Sequence, residues 1–356
     1  MVLCELVRGN ESLRRFVFLA LPNFSMIAFA TAIEPLRLAN RFLTDDFYSW
    51  SVVSANGNPV CASNGLEIAV DGSLDTIAEL SNMDDRPDMV LVCAGIDVDQ
   101  LETKHTRALI RRLYRTGIAI GGLCTASWVL AEAGLLDDRQ CAIHWENLPG
   151  FMERFPKAHV HADLFEVDGR LYTCAGGTAA LDMMLYIIAQ DHEESIINRI
   201  CEQCLTDRVR SATDRQRLPL RARLGVQNAR LLSIIEMMEA NISEPLALTD
   251  IAATSNLSRR QIERLFRHNL ARSPARYYSE LRLDRARHLL LQSNLPIVDV
   301  AIASGFVSAS HFSKCYRDQF GRSPQVERRE KERAQRAATA GLAPGFVNEE
   351  SLSAPV

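Results

Sequence analysis

The 356-residue chain has no apolar run near the roughly 18 residues that a membrane-spanning helix requires, which argues against an integral helical membrane protein. Its first residues, "MVLCELVRGNESLRR", contain no continuous apolar stretch followed by a small-residue cleavage site, so no secretory leader is expected. The nine cysteines are scattered without the close spacing of a small disulfide scaffold, and reduced thiols in the cytoplasm are expected. No Gly-rich phosphate loop of the Walker type is present. "CEQC" at 201–204 has no second pair to complete a zinc site and lies on a helical stretch. His159 and His161 share one face of the alternating stretch "HVHADLFE", where polar residues of an edge strand are the simpler reading. No metal and no cofactor is therefore expected.

What is present describes a soluble globular chain: 47% hydrophobic and 24% charged residues, long enough for two domains. The net charge of −4 hides an asymmetry. Residues 221–330 carry 17 Lys/Arg against 11 Asp/Glu, a net of +6, so the remainder carries −10. A basic block on an acidic remainder points to a polyanion partner for one part only.

From 12 to 190, β-type runs alternate with helical patterns. "RFVFLAL" (15–21), "YSWSVVSA" (48–55), "DMVLVCAG" (88–95) and "GIAIGGLC" (117–124) read as strands, with helices near 25–42, 98–115, 125–134 and 178–190. The third and fourth runs are almost wholly apolar, as strands covered on both faces are. This alternation predicts an α/β unit with a doubly wound, mostly parallel sheet of flavodoxin-like type. "HADLFEVDGRLYTCAGG" adds a hairpin turning at Asp168-Gly169. The charged stretch 206–225 lacks a buried face and reads as a linker. From 226 the pattern is all-helical, and 331–356 is expected to be a disordered tail.

A repeat dominates the helical part. "DIAATSNLSRRQIERLFRHNLARSP" (250–274) and "DVAIASGFVSASHFSKCYRDQFGRSP" (299–324) align from Asp250/Asp299 to Pro274/Pro324 with one insertion. Each reads as a short helix, a turn at Asn256 or Gly305, and a longer second helix. That is the helix-turn-helix pattern, whose second helix enters a major groove. In the first copy Leu257, Ile262, Leu265 and Phe266 face inward, leaving Arg259, Arg260, Glu263, Arg264 and Arg267 outside. In the second, Phe306, Phe312 and Tyr316 face inward, leaving Ser308, Ser310, His311, Ser313, Lys314 and Arg317 outside.

The segment 226–328 resembles the DNA-binding domain of the AraC family of transcription regulators. "PIVDVAIASGFVSASHFSKCYRDQFGRSP" fits that family's signature along its whole length. The resemblance implies two helix-turn-helix units on one connecting helix, promoter DNA as partner, and contact with RNA polymerase. The base-reading positions it implies are Arg260, Glu263, Arg264, Ala309, Ser310, Ser313 and Lys314. Ala309 departs from the polar residue often found at its position.

In the N-terminal half, "GGLCTASWVLAEAGLL" puts Cys124 on a strand-to-helix turn, the way several hydrolase-like folds present a nucleophile. Three readings stay open: nucleophile, pocket wall or buried structural thiol. Residues 14–190 resemble the PfpI/ThiJ-like domain, related to class I glutamine amidotransferases, through this turn, His144 and "YTCAGGTAALDMMLYII". Joined to an AraC-type reader, this is the arrangement of the GlxA-like regulators. Catalytic relatives tune the thiol with a carboxylate from the helix after the first strand. With Ala32 aligned to their helix proline, Ala28 occupies that slot, and neither Glu34 nor Glu146 fits it. No catalytic residue and no enzyme activity is therefore expected.

Ligands of such sheets sit beyond the carboxyl ends of the strands. The residues expected there are Phe24, Met26, Phe29, Cys124, Thr125, Trp128, His144, Trp145, Glu146, Gly177 and Thr178. Aromatic rings beside an acid suit a cation, above all a quaternary ammonium. "NFSMIAFATAIEPLRLANR" is also similar to regulators of glycine betaine, dimethylglycine or carnitine catabolism. The expectation is a homodimeric cytoplasmic transcription activator with a small-molecule effector. The rival is a cysteine hydrolase or glyoxalase fused to a DNA reader.

Overall fold

The first strand is apolar from its third residue on, and its side chains point alternately into two cores. The computed structural model describes residues 13–80, 86–293 and 295–341. It divides between Leu224 and Gly225 into two units. The first unit opens with β1 (Arg14–Ala20), α1 (Met26–Phe42), β2 (Tyr48–Val53), β3 (Val60–Cys61), β4 (Glu67–Ile68) and α2 (Leu74–Leu80). Then come β5 (Met89–Cys93), α3 (Lys104–Arg115), β6 (Ala119–Leu123), α4 (Ser127–Glu132), β7 (Gln140–Ala142), α5 (Leu148–Arg154) and β8 (His159–His161). It closes with β9 (Phe165–Asp168), β10 (Leu171–Cys174), α6 (Ala179–Ile188), α7 (Glu194–Gln203) and α8 (Leu220–Leu224).

The main sheet runs β2-β1-β5-β6-β10-β9. All neighbours are parallel except β10 and β9. Its five parallel strands, taken in chain order, therefore lie 2-1-3-4-5, the flavodoxin-like order. Phe16, Phe18 and Ala20 join Leu91 and Cys93 in one core, which α1, α6 and α7 complete. Val17 and Leu19 join Val90 and Val92 in the other, with Leu109, Ile110 and Leu113 of α3 and Val129 and Leu130 of α4. Because β5 is buried at every residue, its sequence shows no alternation.

Two expectations shift by small amounts. The helix read over 98–115 opens as a 3₁₀ turn, Val98–Gln100, and becomes α-helical at Lys104. The hairpin pairs Asp168 with Leu171, so its turn is centred on Gly169-Arg170, with Gly169 at φ 63°.

The linker reading of 206–225 needs correction, because this stretch is bound to the first unit. Arg210 donates to both carboxylate oxygens of Asp182, and the Leu164 amide donates to Ala212 O at 2.9 Å. The segment makes few apolar contacts, so its docking is polar and left no hydrophobic pattern to read.

The second unit holds α9 (Ala229–Ala240), α10 (Leu248–Thr254), α11 (Arg259–Leu270), α12 (Pro274–Gln292), α13 (Ile297–Ala303), α14 (Ala309–Phe320) and α15 (Pro324–Gly341). The disordered-tail reading is corrected over 331–341, which continues α15. Residues 342–356 lie outside the described residues, as does the stretch 1–12 searched for a leader. Left-handed residues fall at matching places in the two repeats: Asn256 and Gly305 in the turns, Ala271 and Gly321 after the second helices. The ion pairs repeat too, Arg272 with Glu280 and Arg322 with Glu330.

Candidate functional site

The chain leaves β6 into a tight turn at Cys124, whose φ of 63° is a strained value for a residue with a side chain. Gly176 makes room for it, since a Cβ there would lie 2.6 Å from the Cys124 Cβ, and Gly95 lets the chain before α1 pass close by, since a Cβ there would lie 2.2 Å from Asn23 O. The Thr125 hydroxyl donates to Gly95 O at 2.7 Å, tying the turn to the end of β5. The His144 amide donates to Cys124 O at 3.3 Å and so holds the 144–146 loop beside the turn.

The thiol is not activated. Burial and the neighbouring Cys174 push the Cys124 thiol up to about 12, against a weaker opposing effect of the Thr125 amide and the Ser25 hydroxyl. Ala28, aligned above with the carboxylate of catalytic relatives, is buried in the core. Glu34, the acid of α1, pairs on the surface with Arg37 at 2.6 Å. His144 Nδ1 lies 3.8 Å from Glu146, and burial lowers its basicity while Glu146 partly restores it.

Of the residues expected at the ligand edge, His144, Trp145 and Glu146 lie on the loop that the His144 amide ties to Cys124, and Met26 follows Ser25 at the start of α1. Others serve the scaffold. Phe24 and Phe29 pack ring to ring at 5.2 Å in the core. Trp128 is a correction: it points into the opposite core and packs on Phe155 at 5.1 Å. α4 is buried almost all round, so its sequence does not show which face meets the ligand side. Thr125 is spent on Gly95. Gly177 O accepts from Thr31 Oγ1 at 2.8 Å, and Thr178 Oγ1 accepts from Arg210 at 2.7 Å.

Sequence reasoning missed Ser25, Gln216 and Arg217. Ser25 is the α1 N-cap, accepting from the Ala28 amide at 3.5 Å, and a serine before an apolar helix is a legible signal. Gln216 donates to Ile143 O and Asp163 O at 2.9 and 2.8 Å. The Arg217 guanidinium lies 4.6 Å from the centre of the Trp145 ring. Nothing in the local sequence marks these long-range partners.

His159 is exposed on β8, apart from the one His/Asp/Glu group that the described residues bring together. That group is His161, Asp163 and Glu166, with donor atoms within 4.8 Å of one another and Gln140 against the His161 ring. Cys201 packs in the core.

In the second unit, Ser258 and Gln261 form a reciprocal cap that fixes the start of α11. Ile262 and Phe266 are fully buried, and Leu257 and Leu265 are half-buried. Arg259, Arg260, Glu263, Arg264 and Arg267 are all exposed on the other side. In α14, Phe312 and Tyr316 are buried beneath exposed Ser310, His311 and Lys314 and half-buried Ala309 and Ser313. Ser308 caps α14 by accepting from the His311 amide at 3.4 Å. The His311 ring in turn meets Cys315 Sγ at 3.3 Å. From α12, Arg282 lies 4.0 Å from the Phe306 ring centre and donates to Gly305 O at 2.6 Å. Arg285 donates to Ala303 O at 3.2 Å. The connecting helix thus grips the second turn through its orphan carbonyls.

The comparisons agree with both halves. Residues 16–190 match the DJ-1/PfpI family and residues 251–330 match a helix-turn-helix domain family. The chain is 42% identical over 319 residues to the HTH-type transcriptional regulator GbdR of Pseudomonas aeruginosa, covering 90% of this chain and 85% of that protein. It is 36% identical to the HTH-type transcriptional regulator GlxA of Rhizobium meliloti, covering 90% and 97%. The chain belongs to the AraC-type transcription regulators that carry a DJ-1/PfpI domain. A crystal structure of an AraC family transcriptional regulator from Pseudomonas putida is 27% identical, covers 54% of this chain and 100% of that one, and superposes with a TM-score of 0.48. As a regulator of this type the protein binds promoter DNA, and α11 and α14 are its second helices. Among its described residues no helix is long and apolar enough to cross a membrane.

Proposed function

We propose that the regulator is a cytoplasmic, homodimeric activator whose first unit binds a small cationic metabolite, a quaternary or methylated amine, at the mouth beside Cys124. It works without catalysis. The observation that carries this reading is the Trp145 ring, which already accepts a guanidinium at 4.6 Å beside the acidic Glu146. A ring face that takes one cation offers the same quadrupole to another, and a quaternary ammonium needs no hydrogen-bond acceptor. The neutral thiol and the weakened basicity of His144 leave the mouth without a competing positive charge from either side chain. The second unit reads DNA with Arg260, Glu263 and Arg264 on α11 and Ser310, Ser313 and Lys314 on α14.

The test is thermal unfolding of the full chain with glycine betaine, dimethylglycine, carnitine, choline and common amino acids. A ligand of the folded state raises the melting temperature by mass action. A saturable rise with a methylated amine, reduced by Trp145→Ala, is expected. No rise with any of these amines would remove the cationic effector.

A further inference from the structure

The segment 206–217 is held against the first unit, beside the loop that carries Trp145, by three kinds of contact. At its N-terminal end Arg210 binds Asp182, a carboxylate only 3% exposed, through its amide at 2.9 Å and its guanidinium at 2.6 and 3.0 Å, and reaches Thr178 as well. In its middle, backbone joins backbone. The Leu164 amide donates to Ala212 O, the Gln216 amide donates to Ala162 O at 3.4 Å, and Asp163 and Arg215 form a bridge. At its C-terminal end the Gln216 side chain holds Ile143 O and Asp163 O, and Arg217 lies over Trp145.

These contacts differ in strength. An arginine that sets two guanidinium donors on one oxygen of a buried carboxylate and its own amide on the other is a strong anchor. The contact between the Arg217 guanidinium and the Trp145 ring is weaker, and it sits on the ring that the proposed ligand would use. Only two residues separate Arg217 from Leu220, where α8 begins, and α8 ends at Leu224, the last residue of the first unit.

We propose that 206–217 is a latch, and that a cationic ligand at the mouth displaces Arg217 from Trp145 and undocks the segment's C-terminal half while Arg210 keeps its N-terminal end in place. The proposal rests on the cationic-ligand reading above. The ligand acts because it binds the undocked arrangement better than the docked one. Movement at 212–217 then passes directly into α8 and the chain that leads to the DNA-binding unit.

The test is hydrogen exchange of the full chain, followed in peptides spanning 160–167 and 206–217. Glycine betaine is the probe, and Arg217→Ala is examined without ligand. Each should speed exchange at the Leu164 and Gln216 amides by about two- to fivefold, the factor carried by an exposed cation–π contact. The Arg210 amide should keep its protection. If betaine raises the melting temperature but leaves exchange at 164 and 216 unchanged, the latch is overturned and the ligand reading stands. If none of the amines raises the melting temperature, the ligand reading fails and docking by Arg217 is judged on Arg217→Ala alone. Unchanged exchange in that variant overturns the latch whatever the ligand does.

Discussion

Cys124 has the address of a nucleophile and the chemistry of a core residue. Its backbone strain, of a kind that costs about 1–3 kcal/mol, is held by Gly95, Gly176 and the Thr125 hydroxyl. Its thiol, pushed up to about 12, is protonated at neutral pH. Since the thiolate is the reactive form, iodoacetamide at pH 7.5 should label Cys124 more slowly than the exposed Cys61. Mass spectrometry of timed digests reads the two rates, and faster labelling of Cys124 would revive the hydrolase or glyoxalase rival. The same shift has a stability consequence. A thiol raised in the folded state contributes stability that is complete below pH 9 and is lost as pH climbs from 9 towards 12. The melting temperature of the first unit should fall over that window, with a shallower fall in Cys124→Ala.

The helix-turn-helix elements show how a repeat can share one backbone yet impose different demands on its residues. Both turns need a left-handed residue, supplied by Asn256 at φ 53° and Gly305 at φ 76°. Only Gly305 is also crowded, since a Cβ there would lie 2.4 Å from Ile242 O. Gly305→Ala should therefore cost about 2–4 kcal/mol, strain and overpacking together. Asn256→Gly should stay within about 1 kcal/mol of the native chain. Urea unfolding of the second unit, followed alongside DNA affinity, distinguishes them, and equal effects would mean that the Ile242 contact yields freely. This repeat was legible because its apolar positions, turn residues and second helices recur at matching places. β5 and β6 were legible because strands buried on both faces are apolar throughout. The 206–217 segment was not, because its partners Asp182, Asp163 and Trp145 lie tens of residues away and its contacts are polar. Trp128 and Phe29 were misjudged for a related reason: an aromatic at the carboxyl edge of a sheet reads alike whether its ring meets a ligand or the core.

At the scale of the whole molecule, charge is divided between the units. The chain as a whole is acidic, yet 221–330 carries a net +6, with five charged side chains exposed on α11. DNA affinity should therefore fall with rising salt despite the net charge of −4, because counterion release depends on the phosphates contacted and not on total charge. Within that field Arg264 can play one of two roles. As a base reader, its loss should cost about 1–3 kcal/mol on an operator selected by the protein from random DNA. Binding to unrelated DNA would then be little changed, and the salt slope preserved. As a phosphate contact, its loss should weaken both DNAs alike and lower the slope by about 1. Its place near the middle of α11, exposed beside Arg260 and opposite buried Ile262 and Phe266, favours the first outcome. Fluorescence anisotropy of Arg264→Ala on both DNAs at several salt concentrations decides it. An equal loss on the two would move sequence reading in the first repeat to Arg260 and Glu263.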